Sequence, residues 1–545
     1  MEQKNLFTAI ILSVIVFVVW NYFFMPAQPD VQPVENTQKE VINPTKDTIT
    51  TFEKKDETIA VQPTEKLKIT TVITPLYEIS ISNYGAVVKQ IRLKKFKENN
   101  SPESDLKSLI DPGLPVGTYG IEFKNHGMKG MENAVFSVSE TDDVVDIQEG
   151  SRTLTYTWVS DNGFIVQKTF EFKPDTYLID YKVTLNNASD QNFNDDLVIN
   201  LTNRLIEKSN ISFEGPSVYL NNKLEEIKPS KIEDSNHFKG DIRWVAIQDR
   251  YFLMSLIPDE QSESDVFLSY SKDSEIINAQ FLENTGTMVP GSQKVFHYSI
   301  YSGPKSLSIM KKIGFKMDKV VDFGMFDIIA KPCLMLMDFI YERIIGNYGV
   351  AIIMLTILFK LVLWPLGNKS YKSMNDMKKL QPLVAEIREK HKSDKQKMNE
   401  EMMNLYKTYK VNPLSGCLPM VVQMPIFFAF YRMLYSAIEL RHAPFVAWIT
   451  DLSAPDRLLQ FNFTIPYFEP PTGIPVLTLL MGASMFLQQK MSPPAGDPTQ
   501  AKMMMFMPVF MTFIFMNFSS GLVLYWLVNN IVSILQQYYI MKKYA

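Results

Sequence analysis

The sequence predicts an α-helical polytopic membrane protein with six transmembrane helices, five of them forming one core, and a large extracytoplasmic all-β sandwich domain. Three observations predict it. An apolar run from Leu6 to Phe24 opens the chain. Residues 64–304 alternate polar and apolar positions with period two. Of the 30 Met, 24 lie from Met310 onward, so the two halves of the chain differ in chemistry. Whole-chain averages conceal this. With 55 basic and 59 acidic residues and a net charge of −4, an overall nucleic-acid binder is excluded. Two cysteines, Cys333 and Cys417, exclude a disulfide framework and a Cys-rich zinc site. The five histidines show no ligand spacing, and no metal or cofactor is expected.

Leu6 to Phe24 has roughly the length that spans a bilayer. It ends Phe23-Phe24-Met25-Pro26-Ala27 without the small-x-small pattern of a cleavage site, so residues 1–25 read as an uncleaved anchor. Lys4 precedes it and no basic loop follows it, which places the N-terminus in the cytoplasm and the next residues outside. Residues 26–63, rich in Pro, Gln, Thr, Glu and Asp, read as a flexible linker.

Strand patterns begin at Lys68–Ile73 and Tyr77–Ser82. Leu154–Val159 and Phe164–Phe170, joined by Ser160-Asp161-Asn162-Gly163, predict a hairpin. Many short strands with turns between them predict a sandwich, residues 64–304. Its pattern resembles sugar-binding sandwiches of the mutarotase type, but His126, His237 and His297 stand in no acid–base motif, so a binding or docking module is expected and no enzyme.

Residues 305–346 form a bridge of amphipathic helices. Leu307, Met310, Gly314, Met317 and Val321 recur at helical spacing against Lys311, Lys312, Lys316 and Lys319. Phe326 to Ile345 is apolar but carries Lys331, Asp338, Glu342 and Arg343. Each charge at mid-bilayer costs about 2.5–3.5 kcal/mol, so the segment is expected to lie in the interface.

Five spans follow within residues 347–545: Tyr348–Leu366, Cys417–Ile438, Ile474–Gln489, Met503–Phe518 and Gly521–Met541. Residues 367–412 hold many Lys and two apolar stripes (Met374, Met377, Leu380; Met398, Met402, Leu405). They predict a basic cytoplasmic helical hairpin. Lys490 and Lys502 flank a second cytoplasmic loop, 490–502, and Lys542 and Lys543 put the C-terminus inside. The third and fourth of the five spans are shorter than the usual 20 residues or so, which local bilayer thinning accommodates.

Polar groups inside these spans are the candidate site. Lys360 lies in an apolar helix with Thr356 one turn earlier. Trp526, Asn530, Ser533 and Gln537 share one face of the last span, and Thr478, Gly482, Met485 and Gln489 one face of another. Gln423 sits between Pro419 and Pro425. Such stripes imply a shared wet cavity or helix–helix hydrogen bonds.

The runs Val411-Asn412-Pro413-Leu414-Ser415-Gly416-Cys417-Leu418-Pro419, Gln423-Met424-Pro425-Ile426-Phe427 and Ser520-Gly521-Leu522-Val523-Leu524-Tyr525-Trp526 closely resemble the YidC/Oxa1/Alb3 family of membrane protein insertases. Gln489-Lys490-Met491-Ser492-Pro493 and Met505-Phe506-Met507-Pro508 agree, and the resemblance extends over nearly the whole chain. It implies a bacterial inner-membrane protein whose β domain is periplasmic. Its five-helix core would enclose a groove open to cytoplasm and lipid. Lys360 matches a position usually filled by Arg, which keeps the charge and loses the planar fork. Thr356 and Trp526 match groove-lining positions, and Gln489, or Gln488 beside it, another; Tyr525, Gln423 and Asn530 are expected in the same groove. The resemblance further implies nascent membrane proteins as clients, lipid as solvent, and the Sec translocon, ribosomes and the signal recognition particle pathway as partners. No specific nucleic-acid sequence is implied. A small-solute transporter with a periplasmic binding domain is the alternative, although no inverted repeat is visible; no Walker motif is present either.

Overall fold

The computed structural model describes residues 67–204, 212–260, 263–392, 394–409, 411, 418–461, 463, 472–491 and 498–544. The expected anchor (1–25) and linker (26–63) lie outside the described residues, as do 412–417 and 492–497 of the motifs.

The β domain is built from strands between Ile69 and Pro304. Phe164–Phe172 shows why they form: every second residue is buried and the others are half-buried, as one covered sheet face requires. The hairpin is present. Arg152–Val159 pairs with Phe164–Phe172 in antiparallel register, Val159 opposite Ile165. Its turn is closed by Ser160, whose hydroxyl oxygen accepts the Phe164 N–H at 2.8 Å, and by Gly163 at φ +88°.

A five-stranded sheet holds, in order, 106–108, 87–97, 77–82, 69–73 and 144–146. A second, 13-stranded sheet turns a corner within one strand, His237–Gln248. Residues 237–241 of that strand pair with Glu263–Ser271, and residues 245–248 pair with Phe252–Pro258. Gly240 stands at the corner with φ +147°. A Cβ there would lie 2.9 Å from the Asn221 side chain, so the bend requires glycine. The core between the sheets is largely aromatic. Phe170 stacks on Tyr181 at 4.8 Å and Tyr219 on Trp244 at 5.6 Å. Lys168 is fully buried among them. Its ammonium donates to the main-chain oxygens of Ala86, Gly85 (3.4 Å) and Tyr119 (2.9 Å), all residues with positive φ. Burial pushes its pKa down to about 7.

The helical part begins with α1 (Leu307–Ile313), which buries Leu307 and Met310 and exposes Lys311. In α2 (Asp327–Arg343), Ala330, Cys333, Leu334, Met337 and Ile340 form the buried face. Ile328, Met335 and Phe339 form an exposed apolar face, Ile328 being 83% exposed. α3 (Tyr348–Val362) starts at Asn347, whose side chain accepts the Val350 N–H at 3.1 Å. The expected span Tyr348–Leu366 is not one helix. The chain breaks at Leu363, and α4 (Trp364–Lys379) leaves at 65°. Pro365 in the first turn of α4 explains the break: it has no N–H for the helix ladder, and it disfavours the helical conformation of Trp364 before it.

α5 (Gln381–Lys390) and α6 (Lys395–Thr408) pack against each other as a helical hairpin, while Met374 and Met377 of the first expected stripe lie on α4. Asp394 caps α6 by accepting from the N–H groups of Gln396 and Lys397 at 3.1 and 3.0 Å, and His391 meets Glu401 at 3.0 Å. α7 (Leu418–Ser436), α8 (Val476–Met491), α9 (Pro498–Phe515) and α10 (Ser520–Tyr544) complete the bundle. α10 is its axis and packs on α3, α4, α7 and α8. By length and apolarity, no single helix among the described residues qualifies to cross a membrane, while α3 and α4 qualify only as a bent pair. α10 has 25 residues, but its polar stripe lowers its apolarity.

Candidate functional site

The polar positions of α3, α7, α8 and α10 converge. Lys360, in the last turn of α3, is half-buried. Its ammonium donates to the Ser533 hydroxyl oxygen at 2.7 Å and to Gln423 Oε1 at 3.5 Å. Ser533 donates its own hydroxyl hydrogen bond to the Asn529 main-chain oxygen one turn back, at 2.7 Å. The Gln423 amide in turn donates to the Asn529 side-chain oxygen. Asn530, on the adjoining face of α10, donates to the Ser484 hydroxyl oxygen of α8 at 3.0 Å.

On the α4 side, Gln536 donates to the Trp364 main-chain oxygen at 3.0 Å and to Asn368 at 2.9 Å. That bond meets the break between α3 and α4, where backbone groups lose their ladder partners. Gly367 permits the approach, since a Cβ there would lie 2.7 Å from Gln536 Nε2. Tyr371 of α4 is hydrogen-bonded to Ser533 and to Gln488.

Each expected site residue has a definite place. Lys360, Gln423 and Asn530 belong to the network. Thr356 is 1% exposed, and its hydroxyl donates to the Ile352 carbonyl of its own helix at 2.6 Å. Tyr525 is buried and stacks on Phe430 at 4.6 Å. Trp526 is half-buried between Phe427 and Phe515, each edge-on at 4.7 Å. Gln489 is half-buried and makes no hydrogen bond to the network among the described residues; Gln488, its neighbour, is the one joined to it through Tyr371.

Sequence reasoning did not single out Asn529, Ser484, Asn368, Tyr371 or Gln536. Asn529 and Gln536 each precede a residue of the predicted stripe, so a stripe about 100° wider would have included them. Ser484, Asn368 and Tyr371 carry no periodic signal.

The electrostatics follow from the partners. All acceptors of Lys360 are neutral, and no carboxylate lies within 4.0 Å of its ammonium among the described residues. Neutral side chains of α7 and α10 thus hold a cation with no counter-charge beside it. The β domain offers no comparable site at its histidines. His237, for example, stacks on Phe267 at 4.2 Å and pairs with Asp265 at 2.6 Å.

Residues 69–336 match the family model described as the YidC periplasmic domain, and residues 339–545 the model described as the 60Kd inner membrane protein. A membrane protein insertase YidC of Syntrophus aciditrophicus is 38% identical over 565 residues, covering 100% of both chains. This chain belongs to the YidC family. A further YidC relative, from Citrifermentans bemidjiense, is 40% identical over 482 residues, 88% of this chain and 86% of that one. Among solved structures, an active YidC insertase with its first transmembrane domain resolved covers 88% of this chain and 95% of its own, at 18% identity and a TM-score of 0.38. A galactose mutarotase related enzyme of Lactobacillus acidophilus covers 43% of this chain and 97% of its own, at 11% identity and a TM-score of 0.30.

Proposed function

We propose that this YidC-family chain is a membrane protein insertase and chaperone of the bacterial inner membrane. It receives hydrophilic segments of nascent membrane proteins in the polar cluster around Lys360 and releases their apolar segments into the bilayer. It acts alone or with the Sec translocon, and it receives clients from ribosomes and the signal recognition particle pathway. Six spans hold it in the membrane, with both termini in the cytoplasm and the β domain in the periplasm. Lys360, Thr356, Gln423, Gln489, Tyr525, Trp526 and Asn530 line the receiving groove.

The observation that carries this reading is a lysine held among neutral hydrogen-bond partners, with no carboxylate near it among the described residues. An acidic segment about 4 Å from it gains about 4 kcal/mol at an effective dielectric near 20, comparable to the insertion cost of one charge. The apolar surface of α9 supports the second half of the reaction. Met503, Met505, Phe506, Val509 and Phe513 are all more than half exposed, giving a departing apolar segment flexible, polarizable contacts. A photocrosslinker placed at position 526 in the full chain, which leaves Lys360 in place, tests the reading. Labelling of ribosome-bound nascent membrane proteins is the expected result; labelling of none under insertion conditions overturns it.

A further inference from the structure

Eleven positions separate Lys360 from Tyr371, which a straight helix would hold about 16 Å apart along its axis. The chain is not straight here. After the 65° break at Leu363, α4 packs on α10, and both side chains reach the same residue of α10, Ser533.

Ser533 fixes the direction of the protons around it. A hydroxyl has one hydrogen to give and two lone pairs to fill. Its hydrogen goes to the Asn529 main-chain oxygen at 2.7 Å. Toward Lys360, at 2.7 Å, and toward Tyr371 it can therefore only accept. The Tyr371 O–H thus points at the Ser533 oxygen, which leaves the phenol oxygen to accept from the Gln488 amide.

One neutral oxygen therefore holds a cationic and a phenolic donor side by side. Two donors bound to one oxygen at a tetrahedral angle stand roughly 4.5 Å apart, a span that the two oxygens of one carboxylate can bridge. Neither donor has a carboxylate partner among the described residues. Lys360 and Tyr371 are both half-buried, so each keeps some surface for an entering group, whereas Ser533 is 2% exposed.

We propose that Tyr371 is a second receiving group for the client. Lys360 and Tyr371 together grip one carboxylate, which takes both donors from Ser533, the ammonium on one oxygen and the phenol on the other. This clamp rests on the insertase function proposed above and gives its site a chemical preference, a carboxylate held at two points. A charged acceptor makes shorter and stronger hydrogen bonds than a hydroxyl does, so the exchange is favourable. A lysine alone is a point charge without the paired donors of a guanidinium, and the phenol supplies the second donor. An amide of the same shape offers one acceptor oxygen and no charge, and its NH2 meets a donor.

The test uses the full chain in proteoliposomes and two forms of one small client, whose outer segment bears a single Asp or a single Asn. Protease protection reads the rate of insertion. Tyr371→Phe keeps the ring and removes the hydroxyl. It slows the Asp client about tenfold, as the loss of one hydrogen bond to a charged group implies, and leaves the Asn client within about twofold. In the Lys360→Arg background the guanidinium brings its own second donor, so the same substitution slows the Asp client by no more than about twofold. Insertion retained by that double variant also shows that the ring still packs. A phenol that merely braces α4 would slow both clients alike in both backgrounds. Equal slowing of the two clients, an undiminished loss in the Lys360→Arg background, or no loss for the Asp client overturns the proposal. Labelling of nascent chains from position 526 of the otherwise unsubstituted chain is unaffected by any of these outcomes, and its absence would count against the insertase function instead.

Discussion

The ammonium of Lys360 and the hydroxyl oxygen of Ser533 lie 2.7 Å apart across 173 positions of sequence, joining the end of α3 to the middle of α10. Ser533 is itself tied to Asn529, so the lysine is aimed by a residue that cannot turn freely.

The first prediction concerns that charge. Lys360→Met keeps the length of the stem and removes the ammonium, whereas Lys360→Arg keeps the charge. Insertion of a small client with an acidic outer segment falls at least about tenfold in the first variant, a modest part of the Coulomb term, and is retained in the second. A protease-protection assay of insertion reads the difference. Equal insertion by both variants would remove the charge from the mechanism.

A second prediction concerns the attachment of the β domain. Arg441, just beyond α7, donates to the main-chain oxygens of Lys97 (2.6 Å) and Glu98 (3.0 Å) and faces the ring of Phe252. Charged hydrogen bonds of this kind contribute about 1.5–3 kcal/mol each. Arg441→Ala accelerates amide exchange in residues 93–98 and leaves the hairpin 152–172 unaffected, as exchange mass spectrometry would read.

Lys168 supplies a third, with a defined sign. Its pKa is about 7 when folded and about 10.4 when unfolded, so between these values the unfolded chain binds the extra proton. Stability of the β domain therefore rises as pH climbs from about 7 toward 10. Lys168→Met flattens that slope. Above about pH 10, where the amine is neutral in both states, it also lowers stability by about 1–3 kcal/mol, because the carbonyls of Ala86 and Tyr119 lose their donor. Thermal unfolding across the pH range checks both effects.

Asp338 and Glu439 supply a fourth. Burial raises both carboxyls above their ordinary range, and Glu439 adds repulsion at Asp338. Both oxygens of Glu439 are buried, and the Ser306 hydroxyl is their polar neighbour. A raised acid holds its proton in the folded state after the unfolded chain has released it, so this contact weakens as pH climbs above about 4. Glu439→Gln reduces the pH dependence of amide exchange in α2. An unchanged dependence would place the titration elsewhere.

Much of the site was legible because helix periodicity is a local property. Thr356 and Lys360 share a face by spacing alone, and so do Asn530 and Ser533. What spacing does not determine is which face meets which helix. Thr356 satisfies its hydroxyl within its own helix, and Gln488 rather than Gln489 joins the network, because α8 turns that side toward Tyr371. The strands of the hairpin 152–172 were legible from alternation and a turn. The corner at Gly240 was not, because a strand shared by two sheet halves reads locally like any other. The break at Leu363 has a visible cause in Pro365, but the apolar run continues through it and hides the change of direction.

The strand His237–Gln248 leads straight into Arg250, and Arg250 is fastened to Tyr435 of α7. One continuous stretch of backbone therefore runs from the outer half of the sandwich, around the corner at Gly240, to the foot of the helices. A partner pulling on the far strands would load the backbone as far as Arg250 and reach α7, the helix that carries Gln423, through the hydrogen bond to Tyr435. The outer domain is in mechanical terms a handle, and its grip ends on the helix whose Gln423 accepts from Lys360.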